Sequence, residues 1–333
     1  MHERIEQLAA IGQSLWFDYI RRGMIVSGEL QRLVDDGIMG VTSNPSILQK
    51  AITESHDYDQ ALAELIVANK SDQEAYEALV IDDIRAAADC LKVVYDRTDR
   101  RDGYVSLEVN PALAFDTAGT VAEARRLFDQ LDRPNVMIKV PATTPGLAAI
   151  RTLIASRINV NVTLIFSSEV YRQVADAYLL GLEDLAAAGG DLGQVASVAS
   201  FFVSRLDTAV DKLLTERIDA GATELESLIG KAANANAQVA YGLFQKIFGD
   251  SRFAKLADRG ARVQRPLWAS TSTKDPRNPD THYVDNLIGP DTVNTIPPAT
   301  LKAFLDHGTI ARTVDANIEE APVSYTHLTL PTN

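Results

Sequence analysis

The feature that most constrains this chain is an alternation that runs through nearly all of it. Short apolar runs recur at residues 14–19, 38–46, 104–110, 135–143, 158–166, 196–203, 262–271 and 292–297. Between them lie segments with apolar positions at helical spacing, as at 27–37, 120–131, 146–157, 168–188, 204–214, 224–248 and 298–307. Strand, crossover helix and strand in succession predict a parallel sheet with right-handed connections. Eight such units predict an α/β fold closed into a single (β/α)8, or TIM, barrel, which commonly takes about 250 residues. The chain has 333. Much of the surplus falls at about 47–97, where two or three extra helices are expected as an insertion in the second unit. The barrel is expected to occupy residues 1–322. Residues 323–333 show no helical periodicity and are expected to form a disordered or foreign tail.

Composition narrows the function. A formal charge of −13 argues against a nucleic-acid or anionic-membrane partner, because both require a positive field. The N-terminus is polar, and no uncharged apolar run reaches the roughly 18 residues of a membrane span, so a cytoplasmic location is expected. A single cysteine, Cys90, excludes an intramolecular disulfide. Neither the histidines nor the cysteine show metal-ligand spacing, and no metal is expected. The first strand is followed by Asp18-Tyr19-Ile20-Arg21-Arg22-Gly23, which lacks the glycines of a dinucleotide fingerprint.

Within the run 135–143, alternation places Val136, Ile138 and Val140 on one face and Met137 and Lys139 on the other. A lysine amine on an apolar face either reaches to water along its stem or loses its charge. A neutral amine is a nucleophile toward carbonyls. Catalytic groups of a barrel sit at the carboxyl ends of its strands. Here those ends supply Asp18, Asn44, Glu108, Lys139, Asn161 with Thr163, Ser200 and Ser270. An amine that forms an imine provides an electron sink for breaking a neighbouring C–C bond. One carboxylate can then serve as base at the substrate hydroxyl, and another can shuttle protons through water. The competing reading makes Asp18 and Glu108 ion-pair partners that hold Lys139 charged and inert.

Several motifs, in this order and spacing, resemble the transaldolase family. They are Thr42-Ser43-Asn44-Pro45-Ser46, Ser106-Leu107-Glu108-Val109, Ile138-Lys139-Val140-Pro141-Ala142-Thr143, Asn161-Val162-Thr163-Leu164-Ile165-Phe166-Ser167 and Trp268-Ala269-Ser270-Thr271. The likeness is to a bacterial branch with an extended insertion, and it runs from about Leu15 to Ala316. It implies that Lys139 forms a Schiff base with a ketose phosphate and that Asp18 is the acid/base of C–C cleavage. Glu108 and Thr163 would hold the water of imine chemistry, and Asn44 and Asn161 the dihydroxyacetone moiety. Ser200, Arg205 and Ser270 would bind distal hydroxyls and phosphate. Many relatives carry an arginine where this chain has Ser272, and Lys274 is the expected substitute. The implied reaction moves a dihydroxyacetone unit from sedoheptulose 7-phosphate or fructose 6-phosphate to glyceraldehyde 3-phosphate or erythrose 4-phosphate. It uses no cofactor, and a monomer or a homodimer suits the fold. Fructose-6-phosphate-type aldolases are similar, but resemble a shorter barrel with glutamine in place of Glu108 and tyrosine in place of Phe202. A non-catalytic sugar-phosphate-binding barrel is the alternative of a different class.

Overall fold

The structure is a computed structural model and describes residues 1–316, so the tail at 323–333 lies outside the described residues. The chain begins with α1 (Glu3–Ile11), β1 (Gln13–Phe17), two short helices α2 (Arg22–Val26) and α3 (Glu29–Asp36), and β2 (Gly40–Thr42). Three helices, α4 (Pro45–Thr53), α5 (Asp59–Val67) and α6 (Asp72–Arg97), separate β2 from β3 (Tyr104–Glu108). Then come α7 (Thr117–Leu131), β4 (Val136–Pro141), α8 (Thr144–Ala155), β5 (Val160–Ile165), α9 (Ser168–Ala187) and β6 (Ser197–Phe202). The last part comprises α10 (Ser204–Asp219), α11 (Ala232–Phe248), α12 (Ser251–Ala257), β7 (Arg265–Ala269), α13 (His282–Asn286), β8 (Thr292–Ile296) and α14 (Pro298–His307). Each strand pairs in parallel with the next, and β8 pairs with β1 to close an eight-stranded barrel. Among the described residues no helix is long and apolar enough to cross a membrane.

Three sequence expectations need correction. Residues 224–248 are not helical throughout: Thr223–Leu228 is a 3-10 turn, and α11 starts only at Ala232. The break falls at Gly230, whose φ of +71° belongs to the left-handed region that glycine adopts without strain. Several strands are shorter than their apolar runs, because the polar residue after the strand becomes a helix cap. Asn44 accepts the Ile47 N–H at the start of α4, and Ser167 accepts the Val170 N–H at the start of α9. Finally, α1, α2, α12 and α13 lie outside the expected helices, being too short to show a period.

The alternation within each strand sorts the core into two layers. Val105, Val136, Ile138, Val140, Val160 and Val162 face outward into the large core shared with the helices. The inward positions change character along the barrel axis. At the amino ends, Arg265 and Asp102 form a buried ion pair at 2.8 Å, and Asp102 also accepts bonds from Ser14 (2.8 Å) and the Trp16 indole (2.9 Å). Above it lies an apolar waist of Trp16, Tyr104, Met137, Val198, Leu267 and Val293. Gly40 is required there, because a Cβ on it would fall 2.5 Å from the Trp16 ring. Above the waist, at the carboxyl ends, the interior turns polar.

The floor pair gives the first prediction. Arg265→Leu strands a buried carboxylate and is expected to cost about 3–5 kcal/mol of stability in urea unfolding. The double variant Arg265→Leu/Asp102→Leu is expected to lose less than the single one. A larger loss in the double variant would contradict this account of the floor.

Candidate active site

The polar layer is set by strand register. Glu108 lies opposite Lys139, and Lys139 opposite Asn161, so three consecutive strands bring these side chains inward at one level. Lys139 is 7% exposed. Its Nζ lies 3.2 Å from Glu108 Oε2 and donates to the Ser43 carbonyl at 2.9 Å. Two of the three ammonium donors are thereby accounted for. Ser43 is held in turn by its hydroxyl, which donates to the Ser106 carbonyl at 2.7 Å.

Asp18 stands one position beyond β1, on the inward face that Ser14 and Trp16 share. The Thr42 hydroxyl donates to its Oδ1 at 2.6 Å, and the Thr295 hydroxyl lies 2.6 Å from that of Thr42. Burial pushes the Asp18 carboxyl above its ordinary range, outweighing the Thr42 hydrogen bond and the pull of the Lys139 and Arg205 cations. Asp18 therefore keeps its proton at a pH where an exposed aspartate has released it.

These groups open into a cavity of about 730 Å³ at the carboxyl ends of the strands, lined by Asp18, Asn44, Glu108, Lys139, Thr163 and Ser200. Arg205, Ser270 and Lys274 also line it. Of the residues singled out from the sequence, Asn161 alone is set back from the wall. It is fully buried, with Nδ2 donating to Ser106 Oγ at 3.0 Å and Oδ1 accepting from Ser200 Oγ at 2.6 Å. Both ends of its amide are engaged within the protein, and it orients Ser200, which does line the cavity. The Asn44 Oδ1 is committed to capping α4, which leaves its Nδ2 as the group available to a ligand. Lys274 Nζ donates to Ser272 Oγ at 2.7 Å, and both residues line the cavity. Arg205 is exposed and stacks its guanidinium 5.0 Å from the centre of the Phe202 ring.

Sequence reasoning missed several members of the site. Thr42, Ser106 and Thr295 are inward-facing residues of their strands, and period-two alternation could have found them. Lys50 and Leu164 line the cavity as well. Leu164 lies where the β5–β6 register shifts, with a φ of +62°, so its side chain stands 40% exposed instead of entering the helix layer. Nothing in a periodic pattern marks such a bulge. Among the described residues no group of three or more His, Cys, Asp or Glu could hold a metal ion.

A closed parallel barrel with a buried amine between carboxylates, open to a cavity at the strands' carboxyl ends, has the form of an enzyme of carbonyl chemistry. The sequence profile of the family described as Transaldolase/Fructose-6-phosphate aldolase matches residues 15–330, and the chain belongs to that family. It is 52% identical over 309 residues to Transaldolase 1 of Streptomyces avermitilis, covering 92% of this chain and 81% of that one. It is 52% identical over 311 residues to the Transaldolase of Thermobifida fusca, covering 93% and 84%. Transaldolase 2 of a Nostoc species is 47% identical over 322 residues, covering 95% and 84%. The resemblance carried by the motifs thus holds across nearly the whole chain.

The Thr42 bond gives the second prediction. It favours the ionised form of Asp18, so Thr42→Val is expected to raise the Asp18 pKa further. Carbon-13 titration of the carboxyl signal, assigned with Asp18→Asn, measures this. An unchanged or lowered midpoint would contradict it.

Proposed function

We propose that the chain is a transaldolase that carries a three-carbon ketol unit between sugar phosphates on Lys139. The observation that carries this reading is the amine itself: buried, 3.2 Å from Glu108, and opening into the same cavity as Asp18. Glu108 is placed to take the ammonium proton, freeing the amine to attack the C2 carbonyl of a ketose phosphate. Loss of water from the carbinolamine leaves an iminium, with Glu108 and Thr163 holding the water that leaves and later returns. Asp18 takes the proton of the C4 hydroxyl, the C3–C4 bond breaks, and its electrons flow into the iminium to leave an enamine. The aldose phosphate departs. An acceptor aldehyde enters, the enamine attacks it, and Asp18 returns the proton to the new hydroxyl. Water then releases the product ketose from Lys139.

The cations Arg205 and Lys274 support a phosphorylated substrate. They lie on the cavity wall of a protein whose formal charge is −13, so they concentrate positive potential where the ligand enters. Fructose 6-phosphate and sedoheptulose 7-phosphate are the proposed donors, and erythrose 4-phosphate and glyceraldehyde 3-phosphate the proposed acceptors.

Borohydride reduction in the presence of fructose 6-phosphate, followed by mass spectrometry, tests the chemistry. An adduct on Lys139 that is absent from Lys139→Met protein is expected; an adduct persisting in that variant overturns the mechanism. Asp18→Asn and Glu108→Gln are each expected to lower turnover by about 10²–10⁴-fold. With fructose 6-phosphate alone the enzyme should hold the three-carbon unit, and adding erythrose 4-phosphate should release it as sedoheptulose 7-phosphate. Steady release of free dihydroxyacetone without acceptor would instead mark an aldolase. Because Asp18 acts in its deprotonated form, activity is expected to fall with pH through its raised pKa.

A further inference from the structure

Arg205 and Lys274, which line the cavity together with Lys50, have no ion-pair partner among the described residues. Beyond the Phe202 ring under Arg205 and the Ser272 hydroxyl at Lys274, their positions are set by the backbone beneath them. Arg205 lies in the first turn of α10, and Lys274 in the loop 270–281 that joins β7 to α13. The two segments touch at Ser204 and Ser270, and the helices they lead into, α10 and α13, meet again at a buried carboxylate that does not line the cavity.

Asp207 follows Arg205 by two residues and is 2% exposed. Its Oδ1 accepts the Ala233 N–H of α11 at 2.7 Å, and its Oδ2 accepts the Tyr283 hydroxyl of α13 at 2.9 Å. The N-terminus of α11 has no cap from its own side chains, so Asp207 supplies the anion that its free N–H groups and dipole favour. One turn along α10, Asp211 accepts the Gly230 N–H at 3.0 Å, and His282 Nε2 lies 3.1 Å from the Gly230 carbonyl. From the other side of this hub, Asn236 of α11 donates to the Phe166 carbonyl at 2.8 Å, at the end of β5. The segments that follow β5, β6 and β7 are therefore tied to one another through the start of α11.

A carboxylate is the residue type this junction requires. Two donors from two helices converge on one side chain, and an asparagine offers only one acceptor oxygen. Burying a charge merely to pack helices would be costly, and an apolar side chain would do that better. We propose that Asp207, through Tyr283 and the start of α11, is a positioning residue that holds Arg205 and the Lys274 loop at the spacing a phosphorylated substrate needs. It thereby sets the preference for phosphorylated over unphosphorylated sugars. This rests on the proposed transaldolase reading.

The test compares Asp207→Asn and Tyr283→Phe with the parent protein. Each variant is expected to raise KM for fructose 6-phosphate about tenfold, the effect of one lost bond to a buried group, with kcat nearly unchanged. Borohydride trapping of free dihydroxyacetone on Lys139 should proceed as in the parent. In protein already carrying Arg205→Ala and Lys274→Ala, the same substitutions should have almost no further effect on KM. Equal losses with phosphorylated and unphosphorylated ligands, or full additivity in that background, would overturn the proposal and leave Asp207 a purely structural residue. Tyr283→Phe removes one hydroxyl and keeps the ring, so it reads the effect even where Asp207→Asn folds poorly. Failure of the transaldolase reading is recognised separately, by the absence of any Lys139 adduct in the parent.

Discussion

The chemistry of this barrel depends on where one ammonium group can be buried. Lys139 sits just above an apolar waist and would be untenable there without the Glu108 carboxylate and the Ser43 carbonyl. Both partners are supplied by the geometry of the sheet. Glu108 is the register neighbour of Lys139, and Ser43 ends the strand on the far side of β3. A slip of one residue in the β3–β4 pairing would turn the amine into the outer layer of valines and isoleucines, where no polar partner waits. The register that fills the core is thus the register that assembles the site. The waist also seals the cavity from below, so water and ligand reach Lys139 from the carboxyl ends.

Two carboxylates share this cavity in different surroundings. Glu108 is joined directly to the amine, whereas Asp18 is bound to a neutral hydroxyl relay through Thr42 and Thr295. Burial governs Asp18 even though two cations oppose it. Similar side chains set into different environments can take different proton-transfer tasks, and the partners of these two support the proposed separation into a base at the substrate and a shuttle at the amine.

Most of the barrel was legible because its signal is repetitive. Eight strands of period two and the capped helices between them constrain one another, and inward positions such as Asp18, Glu108, Lys139 and Thr163 follow from the alternation. What was not legible depended on backbone instead of side-chain pattern. The Ser43 carbonyl that receives the Lys139 amine has no residue-type signature. The bulge that turns Leu164 into the cavity breaks the very period from which the strand was read. Asn161 was legible as an inward polar residue, but its burial beneath Ser200 depends on how far Ser106 and Ser200 reach toward each other across the interior. Asp207 lies on a helix face that its own sequence marks only as polar; its role appears once α11 and α13 are seen to converge on it.

These cases share a physical cause. At the carboxyl end of a parallel barrel every strand must turn into a helix, and each turn leaves N–H groups in need of acceptors. The side chains that meet this need stand at the rim of the cavity. Asn44 caps α4 with its oxygen and is thereby oriented with its amide nitrogen free. Ser270 takes a left-handed conformation and joins the start of α10 through the Ser204 N–H at 3.0 Å, which fixes the entry to the Lys274 loop. Asp207 caps α11 from a neighbouring helix and so couples α10 to both α11 and α13. A group locked by a structural hydrogen bond loses little freedom when a ligand arrives, so the bonds that end the strands also preorganise the site.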